Sequence, residues 1–262
     1  MAHRPRKRFG QHFLVDPGVT DAILAAIAPR PGDVIVEIGP GPGVLTRPLA
    51  KSGVTLHAIE LDRDLARALR EQFAGNENVH IHEGDALRFD FTALGDNLRV
   101  VGNLPYNIST PLLFHLLDAR RSITDMHFML QKEVVDRMAA TPGGRTWGRL
   151  SVMLGCHLDI EALCDVDREA FDPPPEVTSA VVRLVPLPEG THAIDDEALL
   201  ARIVADAFSQ RRKTLRNALR RVASGDDWDA VGIDSARRPE TLSVGEWVTL
   251  ANRLATKTDI PG

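Results

Sequence analysis

The chain has 262 residues, 44% hydrophobic and 26% charged, with a formal net charge of −5. This is the balance of an ordinary globular protein, and no apolar run approaches the ~18 residues that a membrane span needs. Cys156 and Cys164 are the only cysteines, which excludes a disulfide framework and a C-x-x-C metal site.

The N-terminal stretch "MAHRPRKRFGQHFL" is basic but has no apolar signal core, so the reading is of a protein that stays in a reducing cytoplasm. The positive charge is concentrated in two places. Residues 1–12 carry Arg4, Arg6, Lys7 and Arg8 without an acid, and "RRKTLRNALRR" at 211–221 carries six cations without one. Without those ten cations the chain has 21 basic against 36 acidic residues. Two cationic patches on an otherwise acidic protein point to contact with a polyanion.

Along the chain, "DPGVTDAILAAIA" at 16–28 suits a helix, stopped by Pro29 and Pro31-Gly32. "DVIVEIG" is a β-branched strand ending in glycine, followed by a helix over "VLTRPLAKSG". "TLHAIELD" and "RDLARALREQFAG" repeat the strand–helix pair. "VHIHEGDA" and "LRVVGNLP" read as strands, "TPLLFHLLDAR" as a helix, and "DMHFMLQKEVVDRMAA" as strand passing into helix. "RLSVMLGCHLDIEAL" and "TSAVVRLVPL" read as later strands around the loop "FDPPPEV". Alternation at this spacing predicts an α/β fold with parallel strands in a doubly wound, Rossmann-like sheet. From about residue 187 everything reads helical, giving an expected division at 1–186 and 187–262. In the second part Leu215, Leu219 and Val222 mark an apolar helix face, and Arg212, Arg216 and Arg220 a separate cationic stripe.

"VEIGPGPGVLT" sets Gly39, Gly41 and Gly43 between a strand and a helix, where backbone can approach a ligand closely. Glu60 ends the next strand, placed to accept hydrogen bonds from both hydroxyls of a ribose. The spacing is G-x-G-x-G, not the G-x-G-x-x-G of dinucleotide folds. It resembles the first motif of S-adenosylmethionine-dependent methyltransferases. On that resemblance Asp85 in "GDA" matches the acid set against the adenine amino group of the cofactor. Glu60, Asp85, Gly39 and Asn103 then line one carboxyl edge of the sheet, the edge where open α/β sheets bind ligands.

"GNLPYNIS" closes that edge with chemistry of its own. An adenine amino group is a poor nucleophile, and a sulfonium methyl needs an aligned attacker more than a strong base. The Asn103 side-chain oxygen and the Leu104 carbonyl can accept its two N–H bonds. Pro105 holds Leu104 extended, which fixes where that carbonyl points. Tyr106, the only tyrosine, can stack on the base, and Phe171 in "FDPPP" could supply a second plate. His80 and His82 alternate on a strand with no third ligand near them in sequence, so no metal site is read.

Together these segments, with "RKRFGQHFL", "MHFMLQKEVVDRM", "GRLSVM", "FDPPPEVTSAVVRLVP" and "FSQRRKTLRNAL", resemble the small-subunit ribosomal RNA adenine N6,N6-dimethyltransferases. The resemblance runs from residue 6 to about 218. It implies S-adenosylmethionine as cofactor and four methyl transfers, two to each of two adjacent adenines in a hairpin near the 3′ end of 16S rRNA. It also implies a late role in small-subunit assembly. Carried onto this chain, the cofactor contacts fall on His12, Leu14, Gly39, Gly41, Glu60, Asp85 and Asn103. The RNA contacts fall on Arg6, Lys7, Arg8, Arg211, Arg212, Lys213 and Arg216, with a small helical C-terminal domain against rRNA phosphates. A monomer is the default. Large-subunit resistance methyltransferases share "NLPY"-type motifs, but "FDPPPEVTSAVV" and "QRRKTLRN" favour the small-subunit family.

Overall fold

The structure is a computed structural model that describes residues 12–257; Arg6, Lys7 and Arg8 lie outside the described residues. The chain divides into two compact units. Among the described residues, the first comprises 12–135 and 160–186, and the second 136–159 and 187–257. This differs from the expected break at 186/187 by assigning Asp136–Asp159 to the C-terminal unit.

In the first unit, β1 (Phe13–Leu14) leads into α1 (Pro17–Ile27). The Asp16 carboxylate caps α1 by accepting from the Gly18 and Val19 amides, and Pro17 sits in the first turn. Then come β2 (Val34–Ile38), α2 (Thr46–Leu49), β3 (Thr55–Glu60), α3 (Arg63–Gln72), β4 (Val79–Glu83) and β5 (Leu98–Asn103). They are followed by α4 (Ser109–Asp118), β6 (Ile123–Gln131) and α5 (Lys132–Met138). The helix expected over 44–53 shrinks to the single turn of α2, with a proline inside it, so little helix dipole stands behind the glycine loop.

After α6 (Arg149–Gly155), β7 (Leu158–Val166), β8 (Phe171–Asp172) and β9 (Ser179–Pro186) complete the strands. The sheet runs β4-β3-β2-β5-β6-β9-β7, and β1 pairs with β8 as a separate antiparallel ribbon. The ladders from β4 to β6 are parallel, whereas β9 runs antiparallel to β6, so the sheet is mixed rather than all parallel. Strand-by-strand pattern carries no information about direction, and that is where the expectation departs. β2 is buried on both faces, as a central parallel strand should be. Ile23, Ile27, Ile35, Leu49, Leu56 and Val101 fill one core layer beside it.

The second unit is helical: α6, α7 (Glu197–Ser209), α8 (Leu215–Ala218), α9 (Gly225–Val231) and α10 (Val244–Ala255). Residues 149–155 were expected to begin a strand and instead form α6. Only Val152 is β-branched in that run, and the Gly148 amide donates to Ser151 Oγ at its start. Residues 211–221 are not one helix: α7 ends at Ser209, and α8 is a single turn. The expected Arg212–Arg216–Arg220 helical stripe therefore does not form, although Leu215 and Leu219 are buried as expected. No helix among the described residues is long and apolar enough to cross a membrane.

Candidate active site

Because β2, β3, β4 and β5 run parallel, their carboxyl ends share one edge, and the segments that follow them surround a cavity of about 260 Å³. Gly39 and Gly41 enter it from β2, Glu60 from β3, Asp85 from the turn after β4, and Asn103 through Tyr106 from β5. His12 and Phe13 close it from β1 and the residue before it.

The glycine loop is tied to the next strand through one carboxylate. Gly41 donates its amide to Glu60 Oε2 at 3.0 Å, and Asp62 donates to Oε1 at 2.8 Å. Gly41 has φ +56°, and a Cβ there would stand 3.1 Å from the Phe13 ring, so glycine is required by both conformation and space. Burial raises the Glu60 pKa, while the Asp62 and Gly41 amides oppose the rise. Glu37, wholly buried beneath the loop, is pushed up to about 7 by burial, with the Thr46 hydroxyl opposing and the neighbouring Glu60 charge adding. These amides orient the Glu60 carboxylate, and its remaining lone-pair capacity can still receive hydroxyl hydrogens. Asp85 is fixed similarly, accepting the Leu87 amide at 3.0 Å.

At the other end, β5 arrives against β2 so closely that a Cβ on Gly102 would sit 2.5 Å from the Ile38 carbonyl oxygen. This contact seats Asn103 at the edge of the cavity. The Leu104 amide donates to the Met129 carbonyl at 3.1 Å, extending the ladder one residue past the strand. The turn closes with the Ile108 amide on the Pro105 carbonyl at 3.1 Å. Asn103 Nδ2 donates to the His12 backbone carbonyl at 3.0 Å. A carbonyl only accepts, so the amide nitrogen faces His12 and Oδ1 remains an acceptor. The Tyr106 hydroxyl and Ser179 Oγ are 2.7 Å apart, and burial raises the Tyr106 pKa. The His12 ring stacks on Tyr106 with centroids 5.9 Å apart and planes at 23°.

The structure thus brings His12, Gly39, Gly41, Glu60, Asp85, Asn103, Leu104, Pro105 and Tyr106 to one cavity. It does not bring Leu14 and Phe171. They face each other across the β1–β8 ribbon, 4% and 2% exposed, and their side chains join the core with Ile23 and Val181. In this structure Phe171 packs as a hydrophobic plug in that core. Strand alternation explains the exchange at β1: Phe13 faces the cavity and Leu14 the core. Phe13 was the residue missed, and the period-2 pattern of "HFL" was the signal that could have found it. Leu61, half exposed beside Glu60, also lines the cavity. In the second unit Arg212, Lys213 and Arg216 are exposed. Arg211 is already engaged, donating to the Arg145 and Trp147 carbonyls at 3.0 Å each.

A glycine loop without a pyrophosphate cradle, a carboxylate oriented at the next strand end and a carboxamide two strands away in the sheet define a Rossmann-like methyltransferase of the S-adenosylmethionine-dependent class. Comparison with known proteins narrows the class. The family model described as "Ribosomal RNA adenine dimethylase" matches residues 2–256, and the chain belongs to that family. It is 55% identical to "Ribosomal RNA small subunit methyltransferase A" of Pseudomonas syringae over 97% of this chain and 96% of that one. The protein of the same name from Chromohalobacter salexigens is 57% identical, covering 97% and 93%. Among solved structures, a dimethyladenosine transferase from Plasmodium falciparum aligns with TM-score 0.81 at 26% identity, covering 91% of this chain and 96% of that one. The 23S rRNA methyltransferase ErmE aligns with TM-score 0.71, also at 26% identity, covering 93% and 100%.

Proposed function

We propose that this protein transfers methyl groups from S-adenosylmethionine to the N6 amino groups of two adjacent adenines in a hairpin near the 3′ end of 16S rRNA. It does so in the cytoplasm, during late assembly of the small subunit. The observation that carries the reading is one cavity that gathers Gly39, Glu60 and Asp85 together with the Asn103–Tyr106 turn.

The residues present fit the cofactor. Glu60 offers two oriented oxygens to a ribose, Asp85 an acceptor to an adenine amino group, and Leu61 and Ile108 apolar faces to the ring. Gly39 and Gly41 let the methionine end approach the backbone. His12 and Phe13 cover that end, whereas Leu14 can contribute only backbone. When bound, S-adenosylmethionine supplies a methyl group made electrophilic by its sulfonium.

The chain's task is then alignment. Asn103 Oδ1 and the Leu104 carbonyl accept the two N–H bonds of the target amine and aim its nitrogen along the cavity. As the new bond forms, the amine gains positive charge, and both acceptors bind it more tightly than they bind the starting adenine. Tyr106 holds the ring by stacking. Arg212, Lys213 and Arg216 contact rRNA phosphates, as do Arg6, Lys7 and Arg8.

The assay is transfer of labelled methyl groups to unmethylated small subunits, with unmethylated large-subunit rRNA in parallel. Label as N6,N6-dimethyladenosine in the small subunit alone is expected. Label only in the large-subunit RNA would overturn the substrate assignment, which the names of the relatives at 55–57% identity support over the ErmE likeness at 26%.

A further inference from the structure

Beneath the glycine loop lies a carboxyl group that the alignment of the amine does not use. Glu37 belongs to β2, two residues before Gly39. In the parallel ladder it stands opposite Ala58, so its side chain leaves the sheet on the same face as that of Glu60, two residues further along β3. It is 2% exposed, and its Oε2 has no hydrogen-bond partner among the described residues. A carboxylate oxygen unpaired at that depth is costly unless it carries a proton or a cation approaches. Burial and the Glu60 charge keep the proton on, and Asp62, buried at the start of α3, adds a second acid beside Glu60. From α2, the Thr46 hydroxyl and the Arg47 guanidinium pull the other way. Arg47 is exposed and donates to the Pro42 carbonyl at 2.6 Å, so solvent screens its charge. The acids are buried and the one cation facing them is not.

We propose that Glu37 is a proton-linked positioning residue for the cofactor: it releases its proton to solvent when a sulfonium ligand occupies the cavity above the loop, and regains it when the neutral thioether product is left. This rests on the S-adenosylmethionine reading above. The cofactor and its product, S-adenosylhomocysteine, share an ammonium and a carboxylate and differ in the charge on sulfur. An ionised Glu37 attracts that charge through poorly polarisable backbone and offers the thioether nothing comparable. The glycine loop then holds cofactor more tightly than product, which favours exchange between successive methyl transfers.

The test is calorimetric titration of the full chain with S-adenosylmethionine and with S-adenosylhomocysteine at pH 6.5, in buffers of different ionisation heat, which counts protons released on binding. Wild type should release about half a proton more with the sulfonium ligand, as expected for a carboxyl near pH 7 that falls by about one pH unit. From pH 5.5 to 8.5 its affinity for S-adenosylmethionine should rise about tenfold, and for the thioether by less than about twofold. Glu37→Gln keeps the shape and cannot ionise. It should lose the extra proton release and bind S-adenosylmethionine as wild type does at pH 5.5, but about tenfold more weakly at pH 8.5. Equal release from Glu37→Gln and wild type would overturn the proposal and assign the proton to Glu60. Equal release with the two ligands would overturn it too, as would a loss of affinity in Glu37→Gln that is the same at both pH values, the mark of a structural role. The ligand comparison is made in wild type alone, so it decides the matter even where Glu37→Gln fails to fold. No binding of S-adenosylmethionine by wild type at any pH would defeat the cofactor reading itself, and the proposal with it.

Discussion

Glu37 shows how much the glycine loop costs the fold. Its carboxyl is buried beneath the loop and beside Glu60, and its pKa rises from 4.5 to about 7. In the unfolded chain the proton leaves near the lower value, and in the folded chain near the higher one. The folded state therefore holds the extra proton between them, and stability falls as pH climbs from about 4.5 to 7. A shift of that size corresponds to roughly 3 kcal/mol. Glu37→Gln should remove this decline, so that urea denaturation at pH 5 and pH 8 shows a smaller difference than in wild type. Equal pH dependence in the two proteins would mean that Glu37 is solvated in the fold. The placement of the cavity residues was legible in the sequence, because Gly39, Glu60, Asp85, Asn103 and Tyr106 all sit at or just past expected strand ends. Residue type does not tell where the Phe171 ring packs; its pairing with Leu14 across the ribbon places it in the core.

At the level of elements, strands β2 to β6 and helices α1, α3 and α4 were readable because each carries its own periodicity, and α1 and α3 also carry an aspartate cap. What failed were features set by partners distant in sequence. The basic stretch 211–221 contains no glycine or proline to break a helix. Yet the Leu215 amide donates to the Arg237 carbonyl at 2.8 Å and the Arg216 amide to Ser235 at 3.0 Å, so tertiary pairing takes the donors a continuous helix would use. His80 and His82 gain a neighbour in the same way. Parallel pairing of β3 with β4 sets His57 beside them, stacked at 4.8 and 5.3 Å, with His57 Nδ1 and His82 Nε2 3.0 Å apart. Burial, and then the charges of His80 and His82, lower the His57 pKa to about 4; His82 is lowered by burial, His80 and Arg70. Arg70 is itself paired with Glu83. The unfolded chain takes up these protons near pH 6.5 and the folded chain only lower, so stability is lost as pH falls through that window. His57→Gln should flatten the loss between pH 6.5 and 4.5 in thermal unfolding. An unchanged acid slope would show that the imidazoles do not set it.

At the scale of the whole molecule, a chain of net charge −5 is proposed to bind a polyanion through concentrated cations. Binding of small-subunit RNA should weaken steeply with salt, and replacing Arg212, Lys213 and Arg216 with alanine should lower the slope of log K against log salt by about 2–3. A triple variant with the wild-type slope would remove those residues from the interface. The central claim is that Asn103, at the end of β5, aligns the adenine amine and contributes little to holding the RNA. The most direct measurement sets Asn103→Ala beside wild type on unmethylated small subunits and scores particle binding and N6,N6-dimethyladenosine formation in the same samples. The account predicts binding within twofold and methyl transfer reduced by a factor of about 10²–10³, the usual effect of removing one preorganised group that stabilises transition-state charge. Transfer near the wild-type rate, or loss of binding together with transfer, would contradict it.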